Sequence, residues 1–194
     1  MLRYLFRPFA YLGIQHPSGT MRWLNWWIPL ILAAGSIAFL YKLAPSVNLY
    51  AADGLMLKLL GFVQSLPGFY VAALAALATF NQPGLDVLMP GKPPVARIIY
   101  NGSPVSTELT RRRFLCLMFS YLTAISFLLT LALVATTSLA KPLLECLARM
   151  DVPYVVGTLR WGACLILLAA LFQMLSVTFY GLFYIGERMH TPDT

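Results

Sequence analysis

The feature that most constrains this chain is a run of three arginines placed directly before a long stretch without a charged side chain. Arg111, Arg112 and Arg113 precede the stretch from Phe114 to Ala140. A helix of ~20 apolar residues crosses a bilayer core of ~30 Å. Because an arginine at mid-bilayer costs ~2.5–3.5 kcal/mol, three in a row mark a membrane surface. The stretch is therefore predicted to be a transmembrane helix that begins at the cytoplasmic face.

The composition assigns the whole chain to the membrane class. Of its 194 residues, 59% are hydrophobic and 11% are charged, whereas soluble domains usually carry about 25% charged residues. The net charge of +7 is explained by basic loops that are kept on one side of a bilayer. No direct nucleic-acid binding is expected, since the sequence holds no motif for it.

Four apolar runs predict an all-α membrane protein, a four-helix bundle made of two transmembrane hairpins, 27–80 and 114–185. The single spans are predicted at 27–43, 55–80, 114–140 and 155–185. A basic interfacial segment, a cytoplasmic loop and a cytoplasmic tail are predicted at 1–26, 81–113 and 186–194. Within the spans, Pro67 is expected to kink the second helix, and Lys141-Pro142 is expected to mark the end of the third span.

The central loop combines strand composition with a turn signal. Val95 to Tyr100 is rich in β-formers, Asn101-Gly102 favours a tight turn, and Val105 to Leu109 is expected to pair back. The sequence alone leaves two interpretations of this small cytoplasmic hairpin open. It is either a docking surface for a soluble partner or a connector between the two helical hairpins.

Two sets of candidate functional residues follow. The basic and aromatic residues of the loop are the candidates for binding a cytosolic partner: Lys92, Arg97, Tyr100, Arg111, Arg112 and Arg113. Small residues four apart, and two intramembrane amides, are the candidates for helix packing: Ala34 with Ala38, Ala72 with Ala76, Gln64 and Gln173. Small faces allow close helix contact, which favours a homo-oligomer, and an amide in lipid is expected to bond a neighbouring helix.

The sequence offers no catalytic, cofactor-binding or metal-binding constellation. His16 and His190 both fall in terminal segments, and the middle thirds of the four spans contain no Asp, Glu, Lys, Arg or His. An intramembrane enzyme or a proton-coupled transporter needs such groups at depth. We therefore expect a non-enzymatic membrane subunit that oligomerises and anchors or regulates a cytosolic partner. The alternatives are an oligomeric pore or membrane-depolarising effector and, third, a small transporter.

The four-span plan with a cytoplasmic face resembles the membrane subunits of two-component bacterial antiphage systems of the Kiwa type. In that family the membrane protein senses envelope disturbance by phage and works with a DNA-binding cytosolic protein. The resemblance is one of architecture across the whole chain. It implies a setting in antiviral defence and a class of partner, and it assigns no role to a particular residue.

Charge predicts that both termini lie in the cytoplasm, with the protein in the inner membrane. Nine Lys and Arg fall in the predicted cytoplasmic segments, against two in the predicted outer loops, as the positive-inside rule requires. A reporter enzyme that is active only in the cytoplasm is therefore expected to be active when fused after Thr194. Activity of a reporter that works only outside the cytoplasm, fused at the same place, would contradict this topology.

Overall fold

Four helices of this chain are long and apolar enough to cross a membrane, as the hydropathy pattern predicts. The computed structural model describes residues 6–14, 19–43, 48–50, 53–79, 83–89, 93–100, 103–148 and 153–188. The four helices, here called spans 1 to 4, are Trp23–Lys42, Leu55–Thr79, Arg111–Leu139 and Val156–Gly186. The predicted helical fold with four helices suited to cross a membrane is therefore confirmed, and the boundaries differ from the predicted ones by a few residues.

Shorter elements flank and interrupt the spans. The amino-terminal half contains a 3-10 helix at Arg7–Gly13, an α-turn at Thr20–Arg22, a π-helical segment at Trp23–Trp27 and α-helices at Ile28–Leu43, Leu55–Val63 and Leu66–Thr79. The remainder contains a 3-10 turn at Pro83–Leu85, strands at Val95–Tyr100 and Ser103–Glu108, α-helices at Arg111–Ala148 and Pro153–Phe183, and a π-helical segment at Tyr184–Arg188.

Two prolines were expected to disturb the spans, with different outcomes. In span 2 the helix breaks at Gln64 and Ser65 and restarts at Leu66, so that Pro67 occupies the first turn of the second piece. A first-turn proline costs no hydrogen bond, since that N–H has no partner within the helix. The predicted distortion at Pro67 is thus present as a break in the helix.

The third span ends at Leu139, just before Lys141-Pro142, as predicted, while the helix itself continues beyond the span to Ala148 with Pro142 inside it. Pro142 cannot donate to the carbonyl of Ser138, four residues earlier. That carbonyl lies next to Leu139, where the apolar span ends. Water at the membrane surface can bond to a carbonyl there, so the proline costs less than it would at depth.

Spans 3 and 4 form the centre of the molecule. Of the most apolar window in each span, 39% and 33% of residues are buried in spans 3 and 4, against 17% in each of spans 1 and 2. Span 2 packs along span 3, span 3 along span 4, and span 4 along span 1. Among the described residues spans 1 and 2 make no extensive contact with each other, so the predicted arrangement as two packed hairpins is not confirmed.

The connection between spans 1 and 2 explains how neighbours in sequence come to be separated in space. Tyr50 of this connection donates a hydrogen bond from its hydroxyl to the carbonyl of Arg160 in span 4, at 2.7 Å. Just before it, the Tyr41 ring at the end of span 1 meets the Trp161 ring edge-on, with centroids 5.7 Å apart. The chain therefore leaves span 1 and passes the beginning of span 4 before it enters span 2.

Spans 3 and 4 approach closely at Gly181. A Cβ placed there would overlap the terminal methyl of Met118, and it would lie 3.3 Å from the Met118 Sδ. Met118 itself is fully buried. Spans 3 and 4 therefore fit together at this point because position 181 has no side chain.

Substitution of Gly181 by leucine is expected to lower the melting temperature of the detergent-solubilised protein. The added side chain has to displace Met118, and overpacking of this kind costs ~1–3 kcal/mol. Gly181→Ala is expected to have a smaller effect, because the end of the Met118 side chain is flexible. Gly162→Leu is the matched control on the same helix, since nothing lies within 4 Å of a Cβ at Gly162. Equal losses at positions 181 and 162 would contradict this packing.

Candidate functional site at the hairpin end of the bundle

The polar and aromatic groups of the described chain concentrate where spans 1 and 3 begin and spans 2 and 4 end, called here the hairpin end. The Nη1 atom of Arg112, at the start of span 3, donates to the carbonyl of Leu77, near the end of span 2, at 2.7 Å. The Phe114 ring, one turn into span 3, lies 6.3 Å from the Tyr180 ring and 5.7 Å from the Tyr184 ring. These contacts bring the ends of spans 2, 3 and 4 together.

Arg112 fastens this end through two partners. Its Nε and Nη2 atoms donate to the two carboxylate oxygens of Asp86, at 2.7 Å and 3.1 Å, the paired geometry in which arginine binds carboxylates best. With its bond to Leu77, the same guanidinium ties the 83–89 segment and span 2 to span 3. The hydrogen bond from Arg112 holds the pKa of the Asp86 carboxyl below its ordinary value.

The other two arginines of the triplet have different surroundings. Arg111 is only 5% exposed, whereas Arg113 is exposed. Thr110 caps the helix, because its Oγ1 accepts a hydrogen bond from the Arg113 N–H at 3.4 Å. Cations at a helix amino-terminus are unfavourable to the helix dipole, and the Asp86 carboxylate offsets part of that cost. Of the three arginines of the triplet, Arg113 is therefore the one most accessible to a partner.

A two-stranded antiparallel hairpin rises from this end. Its register pairs Val95 with Glu108 and Tyr100 with Ser103. At its base, the Leu109 N–H donates to the Pro94 carbonyl at 3.1 Å. Leu109 is fully buried and joins the hydrophobic core, so the base of the hairpin is held against the bundle.

The position of Pro104 shows which backbone groups of the hairpin point outward. Pro104 stands opposite Ile99. Because proline has no N–H, these two residues cannot exchange the two hydrogen bonds of a hydrogen-bonded pair, and we assign them to the other, non-hydrogen-bonded kind. Paired residues alternate along an antiparallel ladder, so Ser106, two residues further, also directs its N–H and carbonyl outward. Glu108 does the same. Both Ser106 and Glu108 are exposed, and the second strand therefore presents an open backbone edge.

Beneath the hairpin, the amino-terminal 3-10 helix inserts a tyrosine among the spans. Tyr11 is 1% exposed and stacks on Tyr121 of span 3 at a centroid distance of 5.2 Å. Its ring also lies 6.3 Å from that of Phe114, and Phe9 meets Tyr121 edge-on at 5.9 Å. The segment predicted to lie at the membrane interface thus packs against the start of span 3.

Asn25 at the start of span 1 completes this cluster. It is 6% exposed, its side chain hydrogen-bonds the Tyr11 hydroxyl, and that hydroxyl donates to the Met21 Sδ at 3.9 Å. Burial raises the pKa of Tyr11 well above its ordinary value, and the bond from Asn25 lowers it in part.

Asn25 lies in a π-helical segment because Pro29, four residues later, cannot donate to the Asn25 carbonyl.

The structure places the remaining predicted residues as follows. Lys92 lies outside the described residues, and Arg97 and Tyr100 lie in the first strand. Ala34, Ala38, Ala72 and Gln64 are exposed, while Ala76 and Gln173 are half-buried. Among the described residues, the polar side chains of Ser126, Arg111 and Asn25 are more deeply buried than that of Gln173.

The tyrosine cluster and Asn25 are functional candidates that sequence reasoning missed. One signal is the position of the tyrosines along the spans. Tyr121 lies about three turns after the start of span 3, and Tyr180 and Tyr184 lie near the end of span 4, four residues apart and therefore on one helical face. The other signal was Pro29, whose effect falls on Asn25. Neither signal indicates that the amino-terminal segment folds back onto the spans.

Comparison with known proteins gives no relative from which a function could be transferred: no family model, no curated protein and no solved structure matches the chain.

Substitution of Arg112 by glutamine is expected to lower the melting temperature more than Asp86→Asn does, because Arg112 loses the bond to Leu77 as well as the pair with Asp86. For Asp86→Asn we expect a decrease of about 2 °C, the scale of an exposed ion pair. Arg113→Gln is the matched control, since Arg113 is exposed, and it should leave the melting temperature unchanged.

The pH dependence of stability provides a second readout of the same pair. Since the folded-state pKa of Asp86 is lowered, the stabilisation is present above the unfolded pKa of about 4 and is lost as the pH falls through the folded pKa. The difference in melting temperature between wild type and Asp86→Asn should therefore be constant above about pH 5 and shrink below about pH 4. A difference that grows on acidification would contradict the pairing.

Proposed function

We propose that the protein is a non-enzymatic subunit of the inner membrane that forms homo-oligomers and holds a cytosolic protein partner at its hairpin end. The observation that carries the proposal is the hairpin between spans 2 and 3, with its open second-strand edge at Ser106 and Glu108. Among the described residues this sheet has two strands. A two-stranded hairpin is marginally stable by itself in water, and it gains backbone hydrogen bonds when a partner adds a third strand.

The second strand is the better of the two edges for such an addition. The first strand lies beside the amino-terminal 3-10 helix at Arg7–Gly13, which limits access from that side. Pro104 blocks strand addition at the tip of the second strand, because it has no outward N–H. The edge offered to the partner is thus short and starts at Ser106.

Charge supports a partner with an acidic surface. Arg113 is exposed at the same end, and the loop that contains the hairpin also carries Lys92 and Arg97. An exposed cation such as Arg113 steers a partner of opposite charge and sets its orientation more than it adds affinity. In the proposed topology this end faces the cytoplasm, since it holds most of the Lys and Arg residues.

Oligomer formation is supported by the outer surfaces of spans 1 and 2. Span 1 packs on span 4 in the region of the fully buried Ala33, and this leaves Ala34 and Ala38 exposed. Ala72 of span 2 is exposed as well. Small residues on a lipid-facing helix allow the backbone of another helix to approach closely. A second copy of the chain is the proposed neighbour on these faces.

The resemblance to Kiwa-type membrane subunits gives the proposal a biological setting. In that family the membrane protein works with a DNA-binding cytosolic protein, so sequence recognition of nucleic acid belongs to the partner. We propose the corresponding division for this chain: the membrane subunit senses a disturbance of the envelope, and the cytosolic partner held at the hairpin carries the response.

The test is purification of the tagged protein in mild detergent, with Ser106→Pro compared against Ser106→Ala. Proline removes the outward N–H of the second strand without removing a hydrogen bond between the two strands, whereas alanine keeps it. We expect a stoichiometric cytosolic protein to co-purify with the wild type and with Ser106→Ala, and to be lost from Ser106→Pro at an unchanged melting temperature. If no protein co-purifies with the wild type, or if Ser106→Pro retains it fully, partner docking by strand addition is contradicted.

A further inference from the structure

A cleft lies at the end of the bundle opposite the hairpin end, between the last turns of the third helix and the first turns of span 4. Its volume is about 260 Å³. The walls are apolar and come from Ala135, Leu139 and Leu143 on one side and from Leu159 and Ala163 on the other. The cleft exists because alanines stand where the two helices face each other, so that their backbones are close while little side-chain volume fills the gap.

The hydroxyl groups of Thr136 and Tyr50, which line the cleft, are already engaged in hydrogen bonds within the protein. Thr136 lines the wall, but its hydroxyl donates to the Ala132 carbonyl of the preceding turn at 2.6 Å. The Tyr50 hydroxyl is engaged with the Arg160 carbonyl at 2.7 Å. Burial raises the pKa of Tyr50 to about 12, so this phenol is uncharged at neutral pH and offers no negative charge to a neighbouring cation.

Among the described residues that line the cleft, Arg160 is the charged one. Its guanidinium carbon lies 6.0 Å from the centre of the Tyr50 ring, a cation–π contact that holds the head group at this position. Within the part of the chain that the structure describes, no carboxylate pairs with Arg160. A guanidinium in this position binds phosphate with two parallel N–H bonds, better than a lysine would.

The combination of an apolar cleft with one cation at its wall selects an amphipathic anion. We infer that the cleft binds one anionic phospholipid, with its phosphate on Arg160 and the upper part of one acyl chain between Ala135 and Ala163. The volume fits this occupant, because it exceeds the ~150 Å³ of an apolar cavity that holds benzene and lies below the ~300–1,000 Å³ of sites for larger ligands. Leu139 and Leu143, 59% and 49% exposed, continue the apolar surface towards the surrounding lipid.

The inference does not depend on the proposed partner-binding role, since the cleft and the hairpin lie at opposite ends of the bundle. It predicts a bound lipid whether or not a cytosolic protein docks. Loss of lipid binding and loss of partner binding are therefore separate outcomes, obtained with variants at different ends of the same chain.

The test is native mass spectrometry of the detergent-solubilised full chain titrated with phosphatidylglycerol. We expect one lipid to be retained by the wild type, with an affinity about tenfold lower for Arg160→Gln, because a charge-assisted hydrogen-bonded pair is lost. Ala163→Leu, which fills the cleft while keeping the charge, is expected to lower the affinity by a similar factor. Arg113→Gln is the control, since it removes an exposed cation at the hairpin end and should leave this binding unchanged.

Two competitors identify which part of the lipid is recognised. Phosphatidylcholine, whose head group carries a compensating positive charge, is expected to bind about tenfold more weakly than phosphatidylglycerol, and inorganic phosphate should not displace the bound lipid. Displacement by inorganic phosphate would overturn the inference in favour of a simple anion site. Equal binding by wild type, Arg160→Gln and Ala163→Leu, or equal affinity for both lipids, would overturn it as well.

Discussion

Helices in a bilayer gain little from burying apolar surface against each other, because lipid tails are as apolar as leucine. Association of the four spans therefore depends on close packing and on specific polar contacts. The structure supplies both near the hairpin end. Arg112 bonds the Leu77 carbonyl across spans 2 and 3, and the Tyr70 and Thr178 hydroxyls share a 2.7 Å hydrogen bond across spans 2 and 4. Gly181 allows spans 3 and 4 to touch.

These contacts make the two ends of the molecule different. The hairpin end is filled with aromatic side chains, and the amino-terminal 3-10 helix contributes Tyr11 to this cluster. The opposite end has small residues between the third helix and span 4, which leave an apolar cleft beside Arg160. A rigid aromatic end suits the presentation of a hairpin to a soluble partner, and a less filled end suits the binding of a lipid.

The sequence predicts the spans well because crossing a bilayer requires a long apolar helix, and hydropathy measures that requirement directly. It predicts the break at Pro67 from the chemistry of proline. It does not predict which spans pack together, since four apolar helices offer nearly equal lipid-like surfaces and the choice depends on single contacts such as that of Gly181 with Met118. The burial of Arg111 also escapes it, because a triplet of arginines indicates a membrane surface without specifying which side chain turns inward.

The central claim is that span 4 packs along span 1 whereas the described residues of spans 1 and 2 do not pack along each other, and cysteine cross-linking in native membranes tests it most directly. In a chain whose three native cysteines are replaced by alanine, Tyr41→Cys with Trp161→Cys should be joined by a short bifunctional thiol reagent, because the rings that these cysteines replace are in contact. Gly35→Cys with Gly61→Cys, one in each of spans 1 and 2, should not. Efficient cross-linking of positions 35 and 61, with none between 41 and 161, would contradict the arrangement.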